Sequence, residues 1–303
     1  MKLFPLALTA ALLALPAAAC GQTGDTPAAA TTATDADPAL WVVKDDDTTI
    51  YLFGTVHVLK PGLSWFDEAV KTAFDASDEV VMEIVQPEDP SSVQGLILSK
   101  GMTASGPTLT ERLPADKRAA YAKVMTENGL PPAAFDRMDP WLAAMSLTMT
   151  SLTRLGYQPD NGPEQVLTAA AKAANKPVTG LETIEQQFDY LDTMSDEAQM
   201  ALLESTVDET EEAGPLFAEM VADWSRGDDQ GIAALMNEGL DEEPELYRVM
   251  LTDRNARWAD WIAARMQKPG TVFLAVGAGH LAGDASVRAD LAKHHLTATR
   301  VDY

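Results

Sequence analysis

The chain has 303 residues, with 22 Lys+Arg against 46 Asp+Glu, and a formal net charge of −24 at pH 7. Hydrophobic residues make up 46% and charged residues 22%. That is the composition of a globular protein with a substantial core, and it excludes a wholly disordered chain. So acidic a surface repels phosphate backbones, which removes nucleic acid from the expected partners. A single Cys excludes both an intramolecular disulfide and a Cys-based zinc site.

Residues 1–20 read as an export signal. Lys2 supplies the positive start and residues 3–15 are almost wholly apolar. Small residues then precede Cys20. The apolar run is too short and too interrupted by Pro to span a membrane as a helix. Two processing readings compete: ordinary cleavage after Ala19, or a lipobox that leaves an acylated Cys20. The lone Cys at the lipobox position favours the second. Residues 21–38 form an Ala-, Thr-, Gly- and Asp-rich stretch that reads as a flexible tether. The expected organisation is therefore a signal peptide (1–20), a linker (21–38) and one globular domain (39–303). The expected location is the periplasm, with the membrane reached only through the N-terminal lipid.

Residues 40–53 predict a β-hairpin, because two apolar β-rich runs flank Asp45, Asp46 and Asp47. A helix is expected from Ser64 to about Ala76, then a buried strand over 79–85. Strand, helix, strand is the signature of a parallel sheet. From about Thr110 the pattern turns helical, with pieces over 114–128, 131–138, 140–155 and 163–174, each opening on a Pro that suits the first helical position. A strand over 176–182 follows, then helices over 184–267. The chain closes on a strand over 271–276, a helix over 285–294 and a last strand over 297–301.

Two of these strands end alike. Gly54-Thr-Val-His57 and Gly277-Ala-Gly-His280 both place a His three residues after a Gly. Glutamates end two more strands, Glu83 after Val80-Val81-Met82 and Glu182 after Val178-Thr179-Gly180-Leu181. A carboxylate in an apolar strand is costly to bury unless it is paired or binds a metal. In open α/β sheets the carboxyl edge is where ligands bind. Four strand ends thus carry side chains suited to metal ligation or acid–base work. Arg254-Asn255 lies on a predicted helix. An Arg facing the cleft would bind a carboxylate or steady an oxyanion. No nucleophile elbow, zincin or P-loop motif is present in the sequence.

These residues, with Leu40-Trp41-Val42, Pro140-Trp141 and Gly180-Leu-Glu-Thr183 followed by Gln186, resemble the TraB/PrgY/GumN family over residues 39–303. That family includes the Tiki metalloproteases and is related to erythromycin-esterase and ChaN-like proteins. The resemblance implies an α/β fold with a central mixed sheet, two pseudo-symmetric halves and a large helical insertion. It implies a metal-dependent hydrolase of envelope peptides or proteins. His57, Glu83 and His280 would hold a divalent transition metal (Mn, Co, Fe or Zn). Glu83 and Glu182 would share ligand and general-base roles, and Arg254 would steady the oxyanion. The relatives also carry two other readings: a haem- or metal-binding lipoprotein, and metal-free His/Glu hydrolysis. A non-catalytic factor of envelope or polysaccharide assembly is a further alternative. Where relatives often have Gly-hydrophobic-Asp before the middle helix, this chain has Gly162-Pro163-Glu164, so no role is assigned to Glu164.

Overall fold

The computed structural model describes residues 33–87, 89–237 and 244–303. Cys20 and the signal sequence lie outside them. A short strand, β1 (Thr34–Asp35), pairs in parallel with β4 (Leu63–Ser64), so the end of the expected tether is already part of the fold. The expected hairpin is β2 (Leu40–Lys44) and β3 (Thr48–Thr55), paired antiparallel. The turn between them closes on Asp45, whose carboxylate accepts from the Asp47 and Thr48 backbone N–H groups. This Asx turn explains the acidic run.

Four further strands complete the main sheet: β5 (Glu79–Ile84), β6 (Val178–Glu182), β7 (Gly270–Gly277) and β8 (Thr299–Arg300). The order is β6-β5-β7-β3-β2-β8. The first four run parallel, and β2 is antiparallel to both its neighbours. The sheet is therefore mixed, as the family resemblance implied. Its parallel centre is buried on both faces, so β7 reads as one apolar run rather than an alternating one. Val272, Leu274 and Val276 point to one face and Phe273 and Ala275 to the other, each set joined to its own core cluster.

Helices cover both faces. On one side lie α1 (Glu68–Ala76) and, after a long excursion, α6 (Pro163–Ala173), contributing Val70, Phe74, Leu167 and Ala171. The first of these starts four residues later than predicted, because Ser64 belongs to β4 and its hydroxyl bonds Asp67. The excursion contains α2 (Pro90–Lys100), α3 (Leu109–Arg112), α4 (Arg118–Glu127) and α5 (Pro140–Arg154). Residues 131–138, expected as a helix, form turns instead, with Phe135 buried and Met138 bridged to Met102.

After β6 come α7 (Ile184–Asp192), α8 (Asp196–Asp208), α9 (Thr210–Ser225) and α10 (Asp229–Asn237). Trp141, Leu147, Leu191 and Leu202 from α5, α7 and α8 close a second core belonging to this helical insertion. A short helix α11 (Pro244–Tyr247) leads through a π-helical turn, Arg248–Thr252, into α12 (Asp253–Arg265). Trp258 and Ile262 seal the second face of the sheet. A last short helix, α13 (Val287–Asp290), precedes β8, where a longer helix and strand were expected. No helix among the described residues is long and apolar enough to cross a membrane.

Candidate functional site

The sheet brings the four strand-end residues onto four consecutive parallel strands. In spatial order they are Glu182 (β6), Glu83 (β5), His280 (just past β7) and His57 (just past β3). Parallel pairing aligns the carboxyl ends, so residues distant in the chain reach one edge.

Arg254 stands at the centre. It is 1% exposed, on the first turn of α12. Its Nη2 donates to Glu83 Oε2 at 2.7 Å and to Glu182 Oε2 at 2.8 Å. Nε donates to both Glu182 oxygens at 3.1 Å. Nη1 lies 3.2 Å from the Met250 carbonyl and 3.1 Å from His280 Nε2. The Met250 carbonyl belongs to the π-helical turn, a feature that recurs at functional sites because it re-aims the residues that follow it. Trp258, one helical turn on, lies under the guanidinium (4.6 Å) and packs against the His280 ring at a tilt of 49° (4.4 Å). Burial alone would lower the Arg254 pKa, but Glu83 and Glu182 more than offset that, so it is raised above the ordinary value. Glu83 also accepts from the Gly277 backbone N–H at 2.6 Å.

His280 is neutral by construction. Asn255 Nδ2 donates to the Ala285 carbonyl, which fixes the amide and leaves Asn255 Oδ1 2.6 Å from His280 Nδ1. Nδ1 therefore carries the proton and Nε2 accepts from Arg254. Burial, then the Arg254 charge, push the His280 pKa well below the usual histidine value.

His57 is set apart from that network. Its Nδ1 lies 2.6 Å from Glu164 Oε1, which also accepts from Thr55 Oγ1 at 2.5 Å. Burial lowers the imidazole pKa, but the Glu164 charge and hydrogen bond outweigh it, with Glu83 adding, and the net shift is upward. Glu164 moves the other way: burial raises it, and His57 and Thr55 carry it below the ordinary carboxylate value. His57 Nε2 is buried and has no hydrogen-bond partner among the described residues. It lines a cleft between the end of β5 and the start of α6, shared with Glu83, Glu164 and Gln165.

Two site residues escaped the sequence reading. Glu164 was left without a role, yet it is the partner of His57. Gln187 is fully buried, and its Nε2 donates to Glu83 Oε2 at 3.3 Å and Glu182 Oε2 at 3.2 Å. Gln186, singled out in its place, completes the capping box of α7 with Thr183. Tyr190 Oη donates to Glu182 Oε1 at 3.1 Å and itself accepts from Arg257 at 2.9 Å.

The expected metal set of His57, Glu83 and His280 does not fit this arrangement. The place between Glu83 and His280 is filled by a guanidinium, which stays protonated and would face a divalent cation at close range. His57 Nδ1 is engaged by Glu164 instead. Among the described residues no three His, Cys, Asp or Glu side chains are grouped to hold a metal ion. Arg254, expected to steady an oxyanion, has all its N–H groups directed at Glu83, Glu182, Met250 and His280.

The model of the TraB/PrgY/gumN family matches residues 39–300. A protein of Treponema pallidum (strain Nichols), described as an uncharacterized protein, is 21% identical over 265 residues, covering 82% of this chain and 78% of that protein. No solved structure matches the chain significantly.

Proposed function

The chain belongs to the TraB/PrgY/gumN family, and from that premise we propose that it is a hydrolase of the cell envelope, acting on acyl bonds of esters or peptides through His57. One observation carries this reading. His57 lines a cleft, and its buried Nε2 has no partner among the described residues, while its Nδ1 is held by the half-buried carboxylate of Glu164. That is the arrangement of an oriented general base: the Nδ1 partner fixes the tautomer and stabilises the imidazolium formed when Nε2 takes a proton. Water in the cleft is the nucleophile. Its proton passes to His57 Nε2, its oxygen forms the new bond to the acyl carbon, and the same proton is then returned to the leaving oxygen or nitrogen.

Glu83 lines the same cleft and accepts hydrogen bonds from Arg254, Gln187 and the Gly277 N–H. It orients the water and favours the charged form of His57. Arg254, Glu182 and His280 are positioning residues in this scheme. They hold Glu83 from behind and do not line the cleft. The signal sequence delivers the enzyme out of the cytoplasm, and acylation at Cys20 anchors it there.

The test is a panel of chromogenic esters and peptide amides with the full chain, its His57→Gln variant and parallel metal analysis. We expect turnover that survives chelation and falls at least about 100-fold in His57→Gln, in a variant that melts like the wild type. Turnover that requires Mn, Co, Fe or Zn, with stoichiometric metal lost in His57→Ala/His280→Ala, would replace this reading with metal-dependent hydrolysis. A Soret band on haem titration without turnover would replace it with cofactor binding.

A further inference from the structure

The walls of the His57 cleft carry a charge and polarity pattern of their own. On the β5 side Val85 is 43% exposed, one of few large apolar side chains so open to solvent among the described residues. Met82, Ile84 and Pro159 continue this apolar surface. At the mouth two primary amides face each other: Gln165 Nε2, from the first turn of α6, donates to Gln86 Oε1 at 3.4 Å. That bond is long and solvent-exposed, so a ligand displaces it at little cost. Each amide keeps further donor or acceptor capacity for a carbonyl or N–H. Apart from His57, the charged lining residues are Glu83 and Glu164, and neither Lys nor Arg lines the cleft.

We propose that this cleft selects uncharged amide-bearing substrates and rejects anionic ones. Gln86 and Gln165 grip the amide group, and an apolar side group lies against Val85. The selectivity rests on the hydrolase reading only for its consequence; the binding itself needs no turnover. A carboxylate or phosphate entering here meets Glu83 and Glu164, while the cationic partners of these two, Arg254 and His57, are already engaged by them, inside walls that screen poorly. The whole chain reinforces this with its charge of −24. A neutral amide loses none of this and gains both hydrogen bonding at the mouth and apolar contact with Val85.

Two matched probes test it: N-acetyl-leucinamide and N-acetyl-leucine, which share a side chain and differ in charge. Binding is measured by ligand-observed NMR on the full chain and on His57→Gln, so that turnover does not enter. We expect the neutral amide to bind at least about 10-fold more tightly than the carboxylate. Gln86→Ala/Gln165→Ala should weaken the neutral probe about 10-fold with an unchanged melting temperature, because both residues lie at the surface. Val85→Lys should narrow or reverse the preference over the carboxylate. Equal or tighter carboxylate binding, no binding of the neutral amide, or indifference to all three substitutions would overturn the proposal. Selective binding without hydrolysis would sink the hydrolase reading and leave this one standing. Efficient hydrolysis of carboxylate-bearing substrates would do the reverse.

Discussion

His57 Nδ1 and Glu164 Oε1 lie 2.6 Å apart, although 107 positions separate them in the chain. The contact forms because α6 begins beside the segment that leaves β3, and its first turn carries Glu164. The carboxylate both holds the ring and raises its pKa. A general base must be neutral to act, so kcat/KM should rise with pH through a value above about 6.5. Glu164→Gln keeps the shape and removes the charge. The rise should then move to lower pH and the plateau should fall about 10–100-fold. A pH–rate profile of both proteins, with an NMR titration of the His57 ring, checks this. An unmoved profile would separate Glu164 from the reaction.

The same pair makes stability depend on pH. His57 is raised in the folded state, so its contribution is complete below its unfolded value of about 6.5 and is lost as pH rises through the folded value. Glu164 is lowered, so its contribution is complete above its unfolded value of about 4.3 and is lost as pH falls through the folded value. The pair is therefore fully stabilising between about pH 4.3 and 6.5. Urea unfolding at about pH 5.5 and pH 8.5 should show a larger loss in the wild type than in Glu164→Gln. Equal losses would mean that the ion pair does not persist in solution.

Much of the sheet was legible because long apolar runs admit few alternatives. Residues 271–276 and 79–85 had to be buried strands, and a Gly-x-x-His after such a strand had to stand at a sheet edge. Arg254 was harder to read. An Arg on a helix is usually a surface group, and its depth here comes from the π-helical turn before it and from Trp258 anchoring α12 to the sheet. Gln187 was missed by one position. One residue along a helix is a rotation of about 100°, enough to turn the cap residue Gln186 away and Gln187 into the site. Residues 131–138 carry a Pro start but settle into turns, with Phe135 buried in the helical core and Met138 bridged to Met102. In each case the deciding contact is tertiary, and spacing alone cannot encode it.

Gly162 holds the His57 backbone. A β-carbon there would stand 2.8 Å from the His57 carbonyl carbon, with the carbonyl oxygen closer still. The φ of −67° is open to any residue, so the demand for Gly is purely steric. Gly162→Ala should push the 57–59 segment away from α6 and lengthen the bond to Glu164. We expect a loss of about 1–3 kcal/mol of stability and a drop in kcat/KM larger than that loss explains at a temperature where the variant is fully folded. Gly156→Ala, nearby but with nearest contact 3.9 Å away at the end of Lys60, serves as a control for strain without crowding, since its φ is +91°. It should cost stability and leave kcat/KM in the folded state unchanged. Equal activity in the folded states of Gly162→Ala and wild type would show that the site tolerates movement of His57.

Arg254 is the group whose loss the fold should tolerate least. Removing one partner of a buried ion pair costs about 3–5 kcal/mol, because the other charge is left without compensation. Here two carboxylates, Glu83 and Glu182, would be left, each under a tenth exposed. Arg254→Met keeps most of the volume and the contact with Trp258, so its deficit isolates the charge. Without the guanidinium two buried carboxylates face each other with no cation between them, an arrangement that protonation relieves. The variant should therefore gain stability, relative to wild type, as pH falls from about 7 to 5. Adding Glu83→Gln and Glu182→Gln to Arg254→Met should restore most of the loss at pH 7, since a neutral network replaces an unbalanced one. Denaturant unfolding of the three proteins at both pH values decides the matter. If the triple variant stays as unstable as Arg254→Met and neither responds to pH, the guanidinium acts through packing alone, and the charge balance assigned to this centre is wrong.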